Sequence, residues 1–150
     1  MFRGVATVSL DSKSRLVVPA RYRDAFLVEG EGRVVVTADP TRCLLLYPLP
    51  EWEPLEKRLV RELSDFNPRT RGLKQLLVGY AHDIEMDGAG RILLPPMLKK
   101  FADLDKSAVL VGQGSRLELW NEARWESKID QMQGFSEGEA LPAELEGFTL

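Results

Sequence analysis

The residues best equipped for chemistry in this 150-residue chain are two arginines in matching surroundings. Arg15 closes the loop of Asp11-Ser-Lys-Ser-Arg-Leu-Val-Val-Pro19, and Arg91 that of Asp87-Gly-Ala-Gly-Arg-Ile-Leu-Leu-Pro95, 76 residues later. An aspartate can accept hydrogen bonds from backbone amides two or three residues on, which stabilises a tight turn. The arginine after it carries a planar fork of donors suited to phosphate or to the guanine edge. Lys13 adds a second cation to the first loop. In the second loop Gly88 and Gly90 replace serines, and Gly90 is free to take a positive φ. Ser14, at the matching place, would carry some strain there or adopt a different turn. One reading makes each Asp and Arg a structural ion pair. Exposed pairs contribute only about 0–1 kcal/mol, a weak reason to repeat the whole order. The sharper reading presents Arg15, Lys13 and Arg91 to phosphates and base edges, because a two-stranded β element fits a major groove.

Other chemistry is scarce. His82 is the only histidine and Cys43 the only cysteine, which leaves no His-based metal cluster, little for a Ser/His triad and no intrachain disulfide. Cys43 precedes Leu44-Leu45-Leu46, so a buried thiol is expected, as in a reducing cytoplasm. No phosphate-cradling glycine loop accompanies Asp11, Asp87 and His82, and no enzyme, cofactor, metal or small-molecule substrate is expected. The apolar runs are far shorter than the roughly 20 residues of a membrane helix, and Met1-Phe2-Arg3-Gly4 does not open a signal peptide. The net charge of −3 is unevenly spread. Residues 1–23 hold Arg3, Lys13, Arg15, Arg21 and Arg23 against Asp11 alone, whereas residues 134–150 hold four glutamates and no basic residue. Charge gathered in this way lets an acidic protein meet an anionic partner. Arg3 joins Arg15, Lys13 and Arg91 as an expected DNA contact.

The elements that must position the loops follow from periodicity. Residues 5–10 and 15–18 predict strands, and Pro19 opens a helix with Tyr22, Ala25 and Phe26 on one face. Val34–Thr37 and Leu44–Tyr47 predict two more strands. Trp52, Leu55, Leu59 and Leu63 then fall at helical spacing, with Pro54 tolerable only in a first turn. Asn67-Pro68 reads as the capped start of another helix carrying Leu73, Leu76 and Leu77. The pattern restarts: strands at 82–86 and 91–94, a helix at 96–101, strands at 108–111 and 117–120, and a last helix with Trp125, Ile129 and Met132. Tyr47 and Trp52 stand five apart, as do Trp120 and Trp125. Four segments result: a first repeat over 1–50, a connecting helical hairpin over 51–79, a second repeat over 80–133 and an acidic, flexible tail over 134–150. A unit of about 50 residues buries little core alone, so the halves are expected to pair about a pseudo-two-fold axis. The predicted fold is α+β, mainly β, a barrel-like body with peripheral helices in which each aliphatic triplet continues into the core.

The doubled D-x-x-[S/G]-R-x-x-x-P motif, the start Met-Phe-Arg-Gly, Leu44-Leu-Leu-Tyr-Pro-Leu-Pro-Glu-Trp52, Asn67-Pro68 and Met86-Asp-Gly-Ala-Gly-Arg91 together closely resemble the bacterial MraZ proteins, from residue 1 to about 133. That resemblance implies two fused swapped-hairpin, AbrB-like half-units. It implies a ring of several subunits, and binding of double-stranded DNA at direct promoter repeats upstream of division and cell-wall genes, in the cytoplasm and on the nucleoid. It also implies that Asp11, Arg15, Asp87, Gly90 and Arg91 form the DNA surface; Ser14 departs from the motif's glycine. The leading expectation is a sequence-specific transcriptional regulator. The alternative is a ring-forming protein-interaction scaffold or antitoxin-like module using the Trp-bearing helices.

Overall fold

A computed structural model describes residues 1–132 and 142–148. Among the described residues, eight strands and five α-helices follow in the order β1 (Val5–Ser9), β2 (Arg15–Val17), α1 (Ala20–Asp24, continued by a π-helical turn over Ala25–Glu29), β3 (Arg33–Ala38), β4 (Leu44–Pro48), α2 (Leu49–Glu62), α3 (Pro68–Leu77), β5 (His82–Glu85), β6 (Arg91–Leu93), α4 (Pro96–Phe101), β7 (Ser107–Gly112), β8 (Leu117–Trp120) and α5 (Glu122–Met132). The architecture is mixed α and β, and the predicted element order holds. Asn67 caps α3 as expected, its Oδ1 accepting the Arg69 amide at 2.9 Å ahead of Pro68. Asn121 does the same for α5, accepting from the Arg124 amide at 3.0 Å. Helix α2 begins earlier than its apolar spacing suggests, at Leu49, so Pro54 lies in the second turn rather than the first. Only one hydrogen bond, that to the Pro50 carbonyl, is forgone there.

Six strands form one antiparallel sheet in the order β1-β7-β8-β4-β3-β5, and β2 pairs with β6 in a separate two-stranded ribbon. The expected barrel-like closure does not occur. β1 and β5 remain the open edges of the sheet, because the strands that follow them pair with each other instead of bridging the gap. Each edge strand pairs with a strand from the other repeat, β1 with β7 and β5 with β3.

The central strands are buried on both faces, which is why Val34-Val35-Val36 and Leu44-Leu45-Leu46 are unbroken apolar runs rather than alternations. Val34, Val36, Leu44, Leu46, Leu110 and Leu119 point to the core that the ribbon, α1 and α4 cover through Leu16, Ile92, Tyr22, Phe26 and Leu98. Val35, Leu45, Tyr47, Val109 and Trp120 point to the opposite core, beneath Trp52 and Leu55 of α2 and Trp125 of α5. The five-residue aromatic spacing becomes contact, with ring centroids 5.4 Å apart for Tyr47 and Trp52 and 5.7 Å for Trp120 and Trp125. Cys43 belongs to this second core and is fully buried, and burial pushes its thiol up to about 12. Such a thiol is a packing group rather than a nucleophile.

Among the described residues no helix is long and apolar enough to cross a membrane. The acidic tail expected over residues 134–150 falls mostly outside the described residues. Of it, only 142–148 is described, with a single 3₁₀ turn at Ala143–Leu145.

Candidate nucleic-acid interface

The two Asp–Arg loops take one shape. In the first, Asp11 Oδ1 accepts the amides of Lys13 and Arg15, each at 2.9 Å, and Oδ2 accepts Arg15 Nε at 2.8 Å. In the second, Asp87 Oδ1 accepts the amides of Ala89 and Arg91 at 2.9 Å, and Oδ2 accepts Arg91 Nε at 2.8 Å. Both turns close with the fourth residue donating its amide to the aspartate carbonyl at 3.0 Å. That fourth residue is left-handed in both, with φ of +63° at Ser14 and +77° at Gly90. Ser14 therefore follows the glycine geometry and carries the strain expected of a side chain there, about 1 kcal/mol.

The ribbon joins the loops. Arg15 pairs with Leu93, Leu16 with Ile92 and Val17 with Arg91. The left-handed residues extend the ladder at each end: Ser14 O accepts the Leu94 amide at 3.0 Å and Gly90 O accepts the Val18 amide at 2.9 Å. Side chains alternate across a strand, so Leu16 and Ile92 enter the core while Arg15, Val17, Arg91 and Leu93 share the outer face. The aliphatic triplets thus do not run wholly into the core: Val17 is 46% exposed and Leu93 57%. The alternation follows from the pairing of β2 with β6 in a ribbon that buries one face only.

On that face the arginines stand at diagonal corners with the two aliphatics between them. Each guanidinium is anchored through Nε alone, and among the described residues neither Arg15 nor Arg91 has a hydrogen-bond partner on its Nη groups. Anchoring by Nε removes side-chain freedom while leaving the outer edge of the fork for a ligand. The structural ion pair and the presented arginine are therefore the same arrangement. Lys13 stands exposed on the first loop, at the position that Ala89 holds in the second. Arg3 is not brought to the ribbon. It lies at the far end of β1, where its carbonyl accepts from Tyr22 Oη at 2.8 Å. His82 sits on β5 with Nδ1 2.7 Å from the Tyr80 carbonyl, apart from both loop aspartates in hydrogen bonding. Among the described residues no group of three or more His, Cys, Asp or Glu side chains could hold a metal.

The Arg15 amide, and after it the Arg15 guanidinium and Lys13 amide, hold the Asp11 carboxyl below its ordinary range against the opposing pull of desolvation. Asp87 is lowered in the same way by Arg91 and Ala89. Because the folded pKa is depressed, this contribution to stability is present above the ordinary aspartate value near pH 4 and is lost as pH falls through the lower folded value. Thermal melting between pH 5 and 3 should therefore decline more steeply for the natural chain than for an Asp11→Asn, Asp87→Asn variant. Parallel declines would show that the loops contribute nothing to acid sensitivity.

Comparison with known proteins places this geometry in context. The family model for MraZ protein, whose description also likens the family to antitoxins, matches the chain twice, over residues 1–76 and 77–143. A protein of Thiobacillus denitrificans named transcriptional regulator MraZ is 79% identical over 150 residues, covering all of both chains. Its namesake in Nitrosospira multiformis is 55% identical over the same full length. That of Shewanella oneidensis is 50% identical over 142 residues, 94% of this chain and 93% of its own.

Proposed function

This chain belongs to the MraZ family, and from that membership we propose that it is a DNA-binding transcriptional regulator reading repeated promoter sites of the division and cell-wall gene cluster through the outer face of the β2–β6 ribbon. One observation carries the reading: two guanidiniums, each fixed by Nε to its loop aspartate, turn their remaining donors outward from a single two-stranded face. Such an element enters a major groove, where an arginine fork bonds guanine bidentately. Val17 and Leu93, exposed between the arginines, suit the thymine methyl group on the same groove floor. Lys13 adds a phosphate contact on the first loop.

The halves act as two swapped-hairpin units about a pseudo-two-fold axis. The strand order supports this, because exchanging β1 with β5, β3 with β7 and β4 with β8 reverses it onto itself. Several such subunits set side by side form a ring and multiply contacts that singly are weak and salt-sensitive. Neighbouring subunits of a ring suit direct repeats, whereas an isolated two-fold dimer favours palindromes. The protein then works on the nucleoid.

A second reading, a protein-interaction or antitoxin-like module, draws on Phe66, fully exposed between α2 and α3, and on the family's likeness to antitoxins. A gel shift with sheared genomic DNA separates the two. Retention of a discrete subset of fragments in the presence of competitor DNA is expected of the regulator. Equal retention of all fragments, or none, favours the interaction module.

A further inference from the structure

We infer that each loop is held in its DNA-binding shape by a side chain from the other half of the chain, and that the loop's fourth residue and the residue covering it form matched pairs: Ser14 with Lys99, and Gly90 with Arg23. The inference rests on the DNA role proposed for the loops. Arg23 stands four residues after Pro19, and Lys99 four after Pro95, so the two occupy equivalent places in their halves.

Arg23 Nε donates to the Val18 carbonyl at 2.8 Å, on the residue whose amide bonds Gly90. A Cβ built on Gly90 would overlap Arg23 Nε and come within 2.7 Å of its Cδ and Cζ. The guanidinium thus lies against the bare Cα of Gly90 and occupies the space of a side chain. At the equivalent place in the other half, Lys99 Nζ donates to Ser14 Oγ at 3.1 Å. An unbranched ammonium leaves room for a Cβ and supplies the hydroxyl with a donor, where a guanidinium would fill that room. The serine at the first loop's glycine position is therefore not an isolated departure. It goes with a lysine 85 residues away, across the ribbon. The assignment makes Arg23 and Lys99 positioning residues: each braces the end of the ladder from which the opposite loop's arginine is presented.

The matched-pair rule has a direct test. Gly90→Ser alone should weaken binding of a labelled duplex, chosen from genomic fragments the natural protein retains, by about tenfold or more. It adds left-handed strain and overlaps Arg23. Gly90→Ser with Arg23→Lys rebuilds the Ser14–Lys99 arrangement in the second half and should return affinity to within about threefold. Lys99→Met, which keeps the stem and removes the donor, should weaken binding several-fold with little change in melting temperature. Amide exchange reads the same coupling without DNA: Gly90→Ser should speed exchange at Val18, and Arg23→Lys should slow it again. The inference is overturned if Gly90→Ser behaves as the natural protein in both readouts, or if adding Arg23→Lys restores neither. Failure of the natural protein to retain any duplex would count against the DNA-binding reading instead, and the exchange measurement would still decide the coupling.

Discussion

Alanine at both Arg15 and Arg91 should abolish site-specific duplex binding while leaving the fold and its assembly intact. A good bidentate contact discriminates by about 1–3 kcal/mol, so losing both should weaken binding by roughly 30- to 10⁴-fold for an engaged subunit. The fold should survive because each arginine is about one-third exposed, at 33% and 38%, and its pair with aspartate is an exposed one. Asp11 and Asp87 also keep the amide hydrogen bonds that shape their loops when the guanidiniums are removed. Fluorescence anisotropy at moderate salt measures the loss, and light scattering the assembly. Taken singly, Arg91→Ala should weaken binding more than Arg15→Ala. The first loop keeps Lys13 when its arginine goes, whereas Ala89 leaves the second loop without that cation. Equal affinity of the double variant and the natural protein would remove the loops from the interface.

The second large effect separates neighbours. Leu16 is fully buried and Val17 is 46% exposed, although they are consecutive in β2. Leu16→Ala should destabilise the protein by about 2–5 kcal/mol, since it empties a site packed beneath the ribbon. Val17→Ala should change stability by no more than about 0.5 kcal/mol, as expected of a surface substitution. Val17→Ser, paired with Leu93→Ser, should instead lower binding to sites with thymine opposite the ribbon while sparing sites without it. Thermal melting and anisotropy together distinguish the two residues. Comparable melting losses at Leu16 and Val17 would mean that the outer face of the ribbon is covered, not open to a ligand.

Much of this was legible because local signals agreed with the tertiary outcome. The repeated Asp-x-x-x-Arg spacing forecast two loops, Asn67-Pro68 marked a helix start, and the β-branched runs marked strands. The burial of Cys43 followed from its aliphatic neighbours. What escaped was pairing between distant segments. Nothing local in Leu10–Pro19 says that β2 will pair with β6 and leave β1 as an open edge, so a closed barrel was an equally natural expectation. The outward turn of Val17 and Leu93 followed from that pairing. Ser14 departs from the motif's glycine, and its hydrogen-bond partner Lys99 lies too far away in sequence for any local pattern to link them. Arg3 is basic in the sequence, but it stands ahead of β1, at the end of that strand opposite the first loop, where its carbonyl accepts from Tyr22 Oη.

The most direct test of the central claim is selection of bound sites from a pool of random duplex DNA, with hydroxyl-radical footprints of the winners. The account predicts enrichment of a short motif containing guanine, present as direct repeats at constant spacing, and loss of that enrichment with the Arg15→Ala, Arg91→Ala variant. A pool that stays random, or the same motif selected by that variant, would contradict it.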